Sequence, residues 1–133
     1  MIKTFHHVAI VVKSLNEAIP LYEKLLNTKM SAIHEVAAQG VKMAMLPLPG
    51  GGEIELLEPL TPDSGVAKFL EKNGEGIHHV CLEVDNVDTE LARVAQSGLQ
   101  LIDQKGRPSV GTRIGFVHPK STKGALIEFA QKV

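Results

Sequence analysis

The sequence predicts an α+β fold in which two tandem β-α-β-β-β modules form one curled mixed sheet around a metal site. The first observation is a repeat, because residues 5–12 (FHHVAIVV) and 77–84 (IHHVCLEV) share the pattern apolar-His-His-Val-small-apolar-x-Val. The second is a helix signal directly after each of these two motifs. The third is a glutamate within the apolar strand that ends each module. Repetition on this scale indicates two copies of one structural unit. We expect a single domain, with module one at about 3–60, a linker helix at about 61–75 and module two at about 76–133.

In module one, the motif strand leads into Ser14-Leu15-Asn16-Glu17, which is a capping box that begins a helix. Apolar residues follow at helical spacing, at positions 15, 18, 19, 22, 25 and 26. Pro20 should kink this helix without ending it. Two further strands are expected near 30–36 and 41–48, and the glycines at 50–52 form the turn before the closing strand, 54–57.

The linker helix is expected to open at Thr61-Pro62-Asp63 and to end around Asn73-Gly74. In module two, Asp85 or Asn86 should cap a helix that Gly98 stops. The inward residues of that helix are predicted to be Val87, Leu91, Val94 and Ala95. Strands are expected near 99–103 and 113–118, followed by the closing strand 127–130.

The composition indicates a soluble globular protein and excludes several other classes. Charged residues make up 22% of the 133 residues and the net charge is −1, so no overall field favours nucleic acid. No apolar run reaches the roughly 20 residues that a membrane span needs. One cysteine allows no intrachain disulfide, which favours a reducing, cytoplasmic location.

Buried carboxylates are the strongest chemical signal in the sequence. Glu55 and Glu128 lie in strongly apolar strands, where a lone carboxylate loses several kcal/mol of hydration unless a positive group binds it. One histidine from each doubled pair, 6–7 and 78–79, could complete a site of two nitrogens and two oxygens. Such a donor set suits zinc, cobalt, manganese, nickel or iron better than calcium. A lone histidine or glutamate in such a strand is more often a structural residue, but the repetition favours a metal.

A second signal is the basic stretch 104–127, which contains five of the fourteen lysines and arginines and no acidic residue. Its cations are Lys105, Arg107, Arg113, Lys120 and Lys123. The stretch is either a solvated loop or a seat for an anionic ligand such as the phosphates of a nucleotide-like cofactor.

These residues resemble the vicinal oxygen chelate superfamily, and within it the branch of epimerases that act on methylmalonyl-CoA. The matching stretches are 7–10 (HVAI), 55–60 (ELLEPL), 68–73 (KFLEKN), 76–80 (GIHHV), 118–120 (HPK) and 124–128 (GALIE). The resemblance implies a divalent metal, such as cobalt, zinc, manganese, nickel or magnesium, held by His7, Glu55, His79 and Glu128.

The resemblance also implies the reaction, which is interconversion of the C2 epimers of methylmalonyl-CoA by proton abstraction through an enolate. Glu128 is then expected to be both metal ligand and base. Lys120, Lys123 and Arg113 are expected to contact the phosphates of coenzyme A. Some epimerases carry a glutamate three positions after a Gln-Gly pair, where this chain has Met43, so the second acid/base group is not identified. The family also implies an acyl-CoA partner and a homodimer.

Three alternatives share the fold. A lactoylglutathione lyase of the glyoxalase I type can use the same two histidines and two glutamates. A ring-cleaving iron dioxygenase needs only one carboxylate, which would leave Glu55 without a role. A metal-free drug-binding protein of this fold has generally lost the ligand residues that this chain retains.

Overall fold

The computed structural model describes all 133 residues, which form eight strands and three α-helices. In chain order they are β1 (Ile2–Val11), α1 (Leu15–Leu26), β2 (Ala32–Val36), β3 (Val41–Pro47), β4 (Glu53–Pro59), α2 (Gly65–Asn73), β5 (Gly76–Val84), α3 (Val87–Gln96), β6 (Arg107–Ser109), β7 (Thr112–Val117) and β8 (Ile127–Lys132). Short 3-10 turns lie at Ala37–Gln39 and Pro119–Ser121. The predicted α+β class and the repeated β-α-β-β-β order are confirmed.

The chain forms two compact units, and their boundary falls within β1 and within β5. The first unit is His7–His78, and the second unit combines Met1–His6 with His79–Val133. No helix in the chain is both long and apolar enough to cross a membrane.

In the first unit the strand order is β2-β3-β4-β1, with β1 parallel to β4 and the other two pairs antiparallel. Helix α1 packs on one face of this sheet, because Leu15 and Ala18 join Ala44, Leu46 and Leu56 in one buried cluster. Side chains alternate along a strand, so the neighbouring positions of β3 and β4 point to the opposite face. That opposite face carries the polar residues described below.

The second unit repeats this plan in the order β5-β8-β7-β6, with β5 parallel to β8. Helix α3 packs on one face through Val87, Leu91 and Val94, which contact Val117 and Phe129 of the sheet. In each unit one buried cluster therefore lies between the helix and the sheet, and the second unit has a smaller cluster of strand residues, Cys81, Ile114 and Ala130.

The ends of the helices follow the predicted capping chemistry, with one correction. Ser14 caps α1 and its hydroxyl accepts a hydrogen bond from the Glu17 amide, while Asn86 caps α3. Helix α1 continues through Pro20 as expected. Helix α2, however, begins at Gly65 rather than at Thr61, because the Ser64 hydroxyl accepts from the Ala67 amide at 3.1 Å.

Two further predictions about the elements are wrong. No strand forms at 99–103, where Leu101 makes only an isolated bridge to Val117, and the edge strand is instead β6. The Asp103 carboxylate accepts from the Phe116 amide at 2.8 Å and so occupies a position that a strand backbone would take. Leu25 and Ala95 are exposed, because each lies roughly 80° from the centre of its apolar stripe at 100° per residue.

Candidate metal centre

The first unit places a histidine beside a buried carboxylate on the sheet face opposite α1. Strands β1 and β4 pair Ala9 with Glu55, and His7, two residues before Ala9, points to the same face. The His7 Nδ1 atom lies 3.2 Å from Glu55 Oε2, and each residue is only 5% exposed. The strand register therefore brings these two predicted residues together.

The second unit contains the corresponding pair. Strands β5 and β8 pair Cys81 with Glu128, and His79 lies two residues before Cys81. The His79 Nε2 atom is 3.1 Å from Glu128 Oε1, and both residues are at least nine-tenths buried. The Phe116 ring meets the His79 ring edge-on, with centroids 5.3 Å apart, so packing fixes the plane of the imidazole.

The donor atoms of both pairs fit a divalent cation. Two ligand atoms that each lie about 2.1 Å from one metal at roughly 90° are about 3 Å apart, which is the separation within each pair. Neutral imidazole offers one nitrogen lone pair and a carboxylate offers oxygen, and a cation would compensate the charge of a buried glutamate. Each pair alone supplies two donors, which is fewer than the three or four protein ligands of a typical site.

The register also distinguishes the members of each doubled histidine. Side chains alternate along β5, so His78 points to the face opposite that of His79, whereas a ring nitrogen of His6 stays within 4.8 Å of a ring nitrogen of His7. The His78 ring packs edge-on against Phe69 at 5.0 Å. The histidine that precedes the valine of each motif is therefore the one beside a carboxylate.

A second carboxylate near the first pair, Glu53, was not predicted from the sequence. The ligand atoms of His7, Glu53 and Glu55 all lie within 4.8 Å of one another. Glu53 pairs directly with His7 in the parallel register. The alternation Glu53-Ile54-Glu55 was the available signal, because it places both glutamates on one face of β4.

Met43 lies on the same face as His7 and Glu55. It pairs across the sheet with Leu57 on one side and with His34 on the other, and it is 6% exposed. Its buried thioether carries no ionisable proton, so this position cannot donate or accept one.

The basic stretch 104–127 divides into two parts. Arg113 is engaged in an ion pair, because its Nη2 atom lies 3.0 Å from Asp88 Oδ2 and also donates to the Gly106 carbonyl. Lys120 and Lys123 are exposed in the segment between β7 and β8. The role of all three as phosphate contacts stays a prediction, and the engagement of Arg113 makes it the weakest of them.

Four carboxylates of the second unit have lowered pKa values, and they are Glu83, Asp85, Asp88 and Glu90. The Gly106 amide, which donates to Asp88 at 2.7 Å, and the Arg113 guanidinium both lower the pKa of Asp88. Lys132 and Lys3 lower the pKa of Glu83, although its burial opposes them. These pairs lie among residues that support the sheet and belong to neither histidine-glutamate pair.

Comparison with known proteins gives the family. Residues 6–116 match the model of the glyoxalase/bleomycin resistance protein/dioxygenase superfamily. The chain belongs to this superfamily.

The relatives are more specific. The chain is 36% identical to the ethylmalonyl-CoA/methylmalonyl-CoA epimerase of Cereibacter sphaeroides over 98% of this chain and 99% of that protein. The crystal structure of methylmalonyl-CoA epimerase from Mycobacterium tuberculosis matches with a TM-score of 0.94 and 33% identity, over 99% of this chain and 89% of that one. The Streptomyces coelicolor methylmalonyl-CoA epimerase, a variant in complex with 2-nitronate-propionyl-CoA, matches with a TM-score of 0.92 and 30% identity, over 100% and 96%.

Proposed function

We propose that this chain is a methylmalonyl-CoA epimerase that interconverts the 2R and 2S forms of its substrate. The observation that carries the proposal is the retention of one buried histidine-glutamate pair in each unit of a chain that is similar to such epimerases over its whole length. A metal-free binding protein has no use for two buried carboxylates beside imidazoles. The whole chain is then one domain of the vicinal oxygen chelate type.

The metal part of the proposal assigns His7, Glu55, His79 and Glu128 to one divalent cation. What supports it is the donor set, with two nitrogens and two oxygens in pairs separated by 3.1–3.2 Å. When bound, the cation supplies Lewis-acid stabilisation of the negative charge that develops on the oxygens of the substrate. Cobalt, zinc, manganese, nickel and magnesium are all compatible with this set.

Glu128 is the proposed base that removes the C2 proton. The C2 hydrogen lies between a thioester carbonyl and a carboxylate, so its removal gives a delocalised enolate. Glu128 is buried and precedes the buried Phe129 in β8, and the exclusion of water strengthens its interaction with charges in the site. Epimerisation also needs a proton donor on the other face of the planar enolate, and Met43 cannot be that donor.

The remaining parts of the proposal concern the partners. Lys120 and Lys123, with Arg113, are proposed to contact the phosphates of the coenzyme A group through charge-assisted hydrogen bonds. The family resemblance supports a homodimer, and the single, buried Cys81 is compatible with a reducing cytoplasm. Sedimentation of the purified chain would test the dimer.

The proposed reaction can be tested with the purified chain loaded with cobalt. In D2O, we expect deuterium to appear at C2 of methylmalonyl-CoA and a single epimer to become a mixture of both. Because the Cereibacter sphaeroides relative is also named for ethylmalonyl-CoA, the same assay should be run on that thioester. Mass spectrometry measures the exchange, and coupling to an enzyme that accepts one epimer measures the inversion.

A parallel assay with the glutathione hemithioacetal of methylglyoxal tests the lyase alternative. Conversion of the hemithioacetal without exchange at C2 of methylmalonyl-CoA would contradict the epimerase proposal. A chain that neither binds cobalt nor exchanges the proton would instead support a binding protein.

A further inference from the structure

Glu53 is a carboxylate beside the first histidine-glutamate pair for which the proposed four-residue site has no role. It begins β4, next to His7 of β1 in the parallel register, and two residues before Glu55 on the same face. Its carboxylate lies within 4.8 Å of the ligand atoms of both residues. Unlike them it is only partly buried, so it lies at the edge of the buried pair.

The charges around this edge favour a cation. Glu53 makes no ion pair with a lysine or arginine, whereas Glu83, a buried carboxylate of the second unit, contacts both Lys3 and Lys132. Two carboxylates this close repel each other unless one is protonated or a cation lies between them. Oxygen donors are the ligands that the harder divalent metals prefer.

We propose that Glu53 is a third carboxylate ligand of the metal centre in the substrate-free protein, in addition to Glu55 and Glu128. This inference rests on the proposed function, because it assumes the cation that His7 and Glu55 help to hold. It implies that the first unit contributes three donors and the second unit two.

Cobalt binding tests the inference without any measurement of activity. The variants Glu53→Gln and Glu53→Ala are compared with wild type and with Glu35→Gln. The control changes the net charge as Glu53→Gln does, at an exposed position of β2 in the same unit. The readouts are the dissociation constant of Co²⁺ and the visible absorption spectrum of the cobalt-loaded protein, and circular dichroism checks the fold.

We expect both Glu53 variants to bind Co²⁺ about 10–100-fold more weakly than wild type. We also expect a changed visible spectrum in Glu53→Ala, because the loss of the oxygen donor alters the coordination of the metal, while Glu35→Gln matches wild type in both readouts. Wild-type affinity and spectrum in the Glu53 variants would overturn the inference. Weaker binding with an unchanged spectrum in Glu53→Ala would also overturn it, because Glu53 would then act only through its charge.

The outcome separates this inference from the proposed function. If wild type binds Co²⁺ and His7→Ala abolishes binding while the Glu53 variants behave as wild type, only the inference fails. If wild type binds no Co²⁺ at all, the metal part of the proposed function and the role of Glu53 fail together.

Discussion

The two units share one plan but differ in what surrounds their histidine-glutamate pairs. In the first unit, His7 and Glu55 have a further carboxylate, Glu53, within 4.8 Å. In the second unit, the Phe116 ring packs edge-on against His79. The strand register preserves the pair in both units, whereas the residues around it have diverged. The first pair therefore has a further oxygen donor beside it, whereas the second has an aromatic ring that packs against its histidine.

The edge strands show the same divergence. The first unit has a regular five-residue edge strand, β2, while the second has only the three residues of β6. In the second unit Asp103 binds both the Phe116 amide and the Arg107 guanidinium. A side-chain hydrogen bond there replaces a backbone hydrogen bond of a strand pair. The edge therefore differs, while the strands that carry the histidines and glutamates keep their pairing.

The largest difference between the units is expected when the buried glutamate of each pair is replaced in turn. We expect Glu128→Gln to slow C2 exchange by about 10²–10⁴-fold, because it removes the proposed base and weakens a proposed metal ligand. Glu55→Gln removes only a ligand, so it should retain more activity at saturating cobalt. Exchange rates are measured together with the metal content of each variant. Unchanged exchange in Glu128→Gln would remove that residue from the mechanism.

Equivalent leucine-to-alanine substitutions in the two cores test whether α1 and α3 contribute equally to the free energy of unfolding. Leu15 of α1 and Leu91 of α3 are each no more than 2% exposed. We expect Leu15→Ala and Leu91→Ala each to lower the free energy of unfolding by about 2–5 kcal/mol. Urea denaturation measures the loss, and a loss below about 1 kcal/mol for either variant would show that its helix packs less tightly than described.

Glycine-to-alanine substitutions are expected to cause a smaller loss of stability, for a different physical reason in each unit. At Gly40, φ is +66° and an added Cβ would lie 2.6 Å from Ser64 Cβ. At Gly115, the added Cβ would lie 2.7 Å from the end of the Leu91 side chain, which can move. We expect losses of about 1–3 kcal/mol, with Gly40→Ala the more destabilising because its backbone is also strained. Equal stability of wild type and Gly40→Ala in thermal unfolding would contradict the close contact with Ser64.

The smallest expected effect concerns the Asp88–Arg113 contact of the second unit. The folded pKa of Asp88 is lowered below its unfolded value, so its stabilising effect is present above the unfolded pKa of about 3.9. That effect is lost as the pH falls through the folded pKa. We therefore expect Asp88→Asn to be less stable than wild type at pH 7, and the difference to shrink as the pH falls through the folded pKa of Asp88. A stability difference independent of pH would contradict this assignment.

The sequence was sufficient for the repeated plan because the periodic signals are local. The caps Ser14 and Asn86 and the alternation around the histidines could be read directly. The absence of a strand at 99–103 could not be predicted. It depends on contacts of Asp103 with Phe116 and Arg107 that form only in the folded chain. Glu53 was missed although its alternation with Glu55 was visible, because its direct pairing with His7 is set by the parallel register of β1 and β4.

The metal content per chain tests the central claim most directly. If the two pairs share one cation, wild type should bind one Co²⁺ per chain, and His7→Ala or His79→Ala should each abolish tight binding. Isothermal titration measures both the stoichiometry and the affinity. Two Co²⁺ per chain in wild type, with one retained in each histidine variant, would show that the pairs bind separately and would contradict the account.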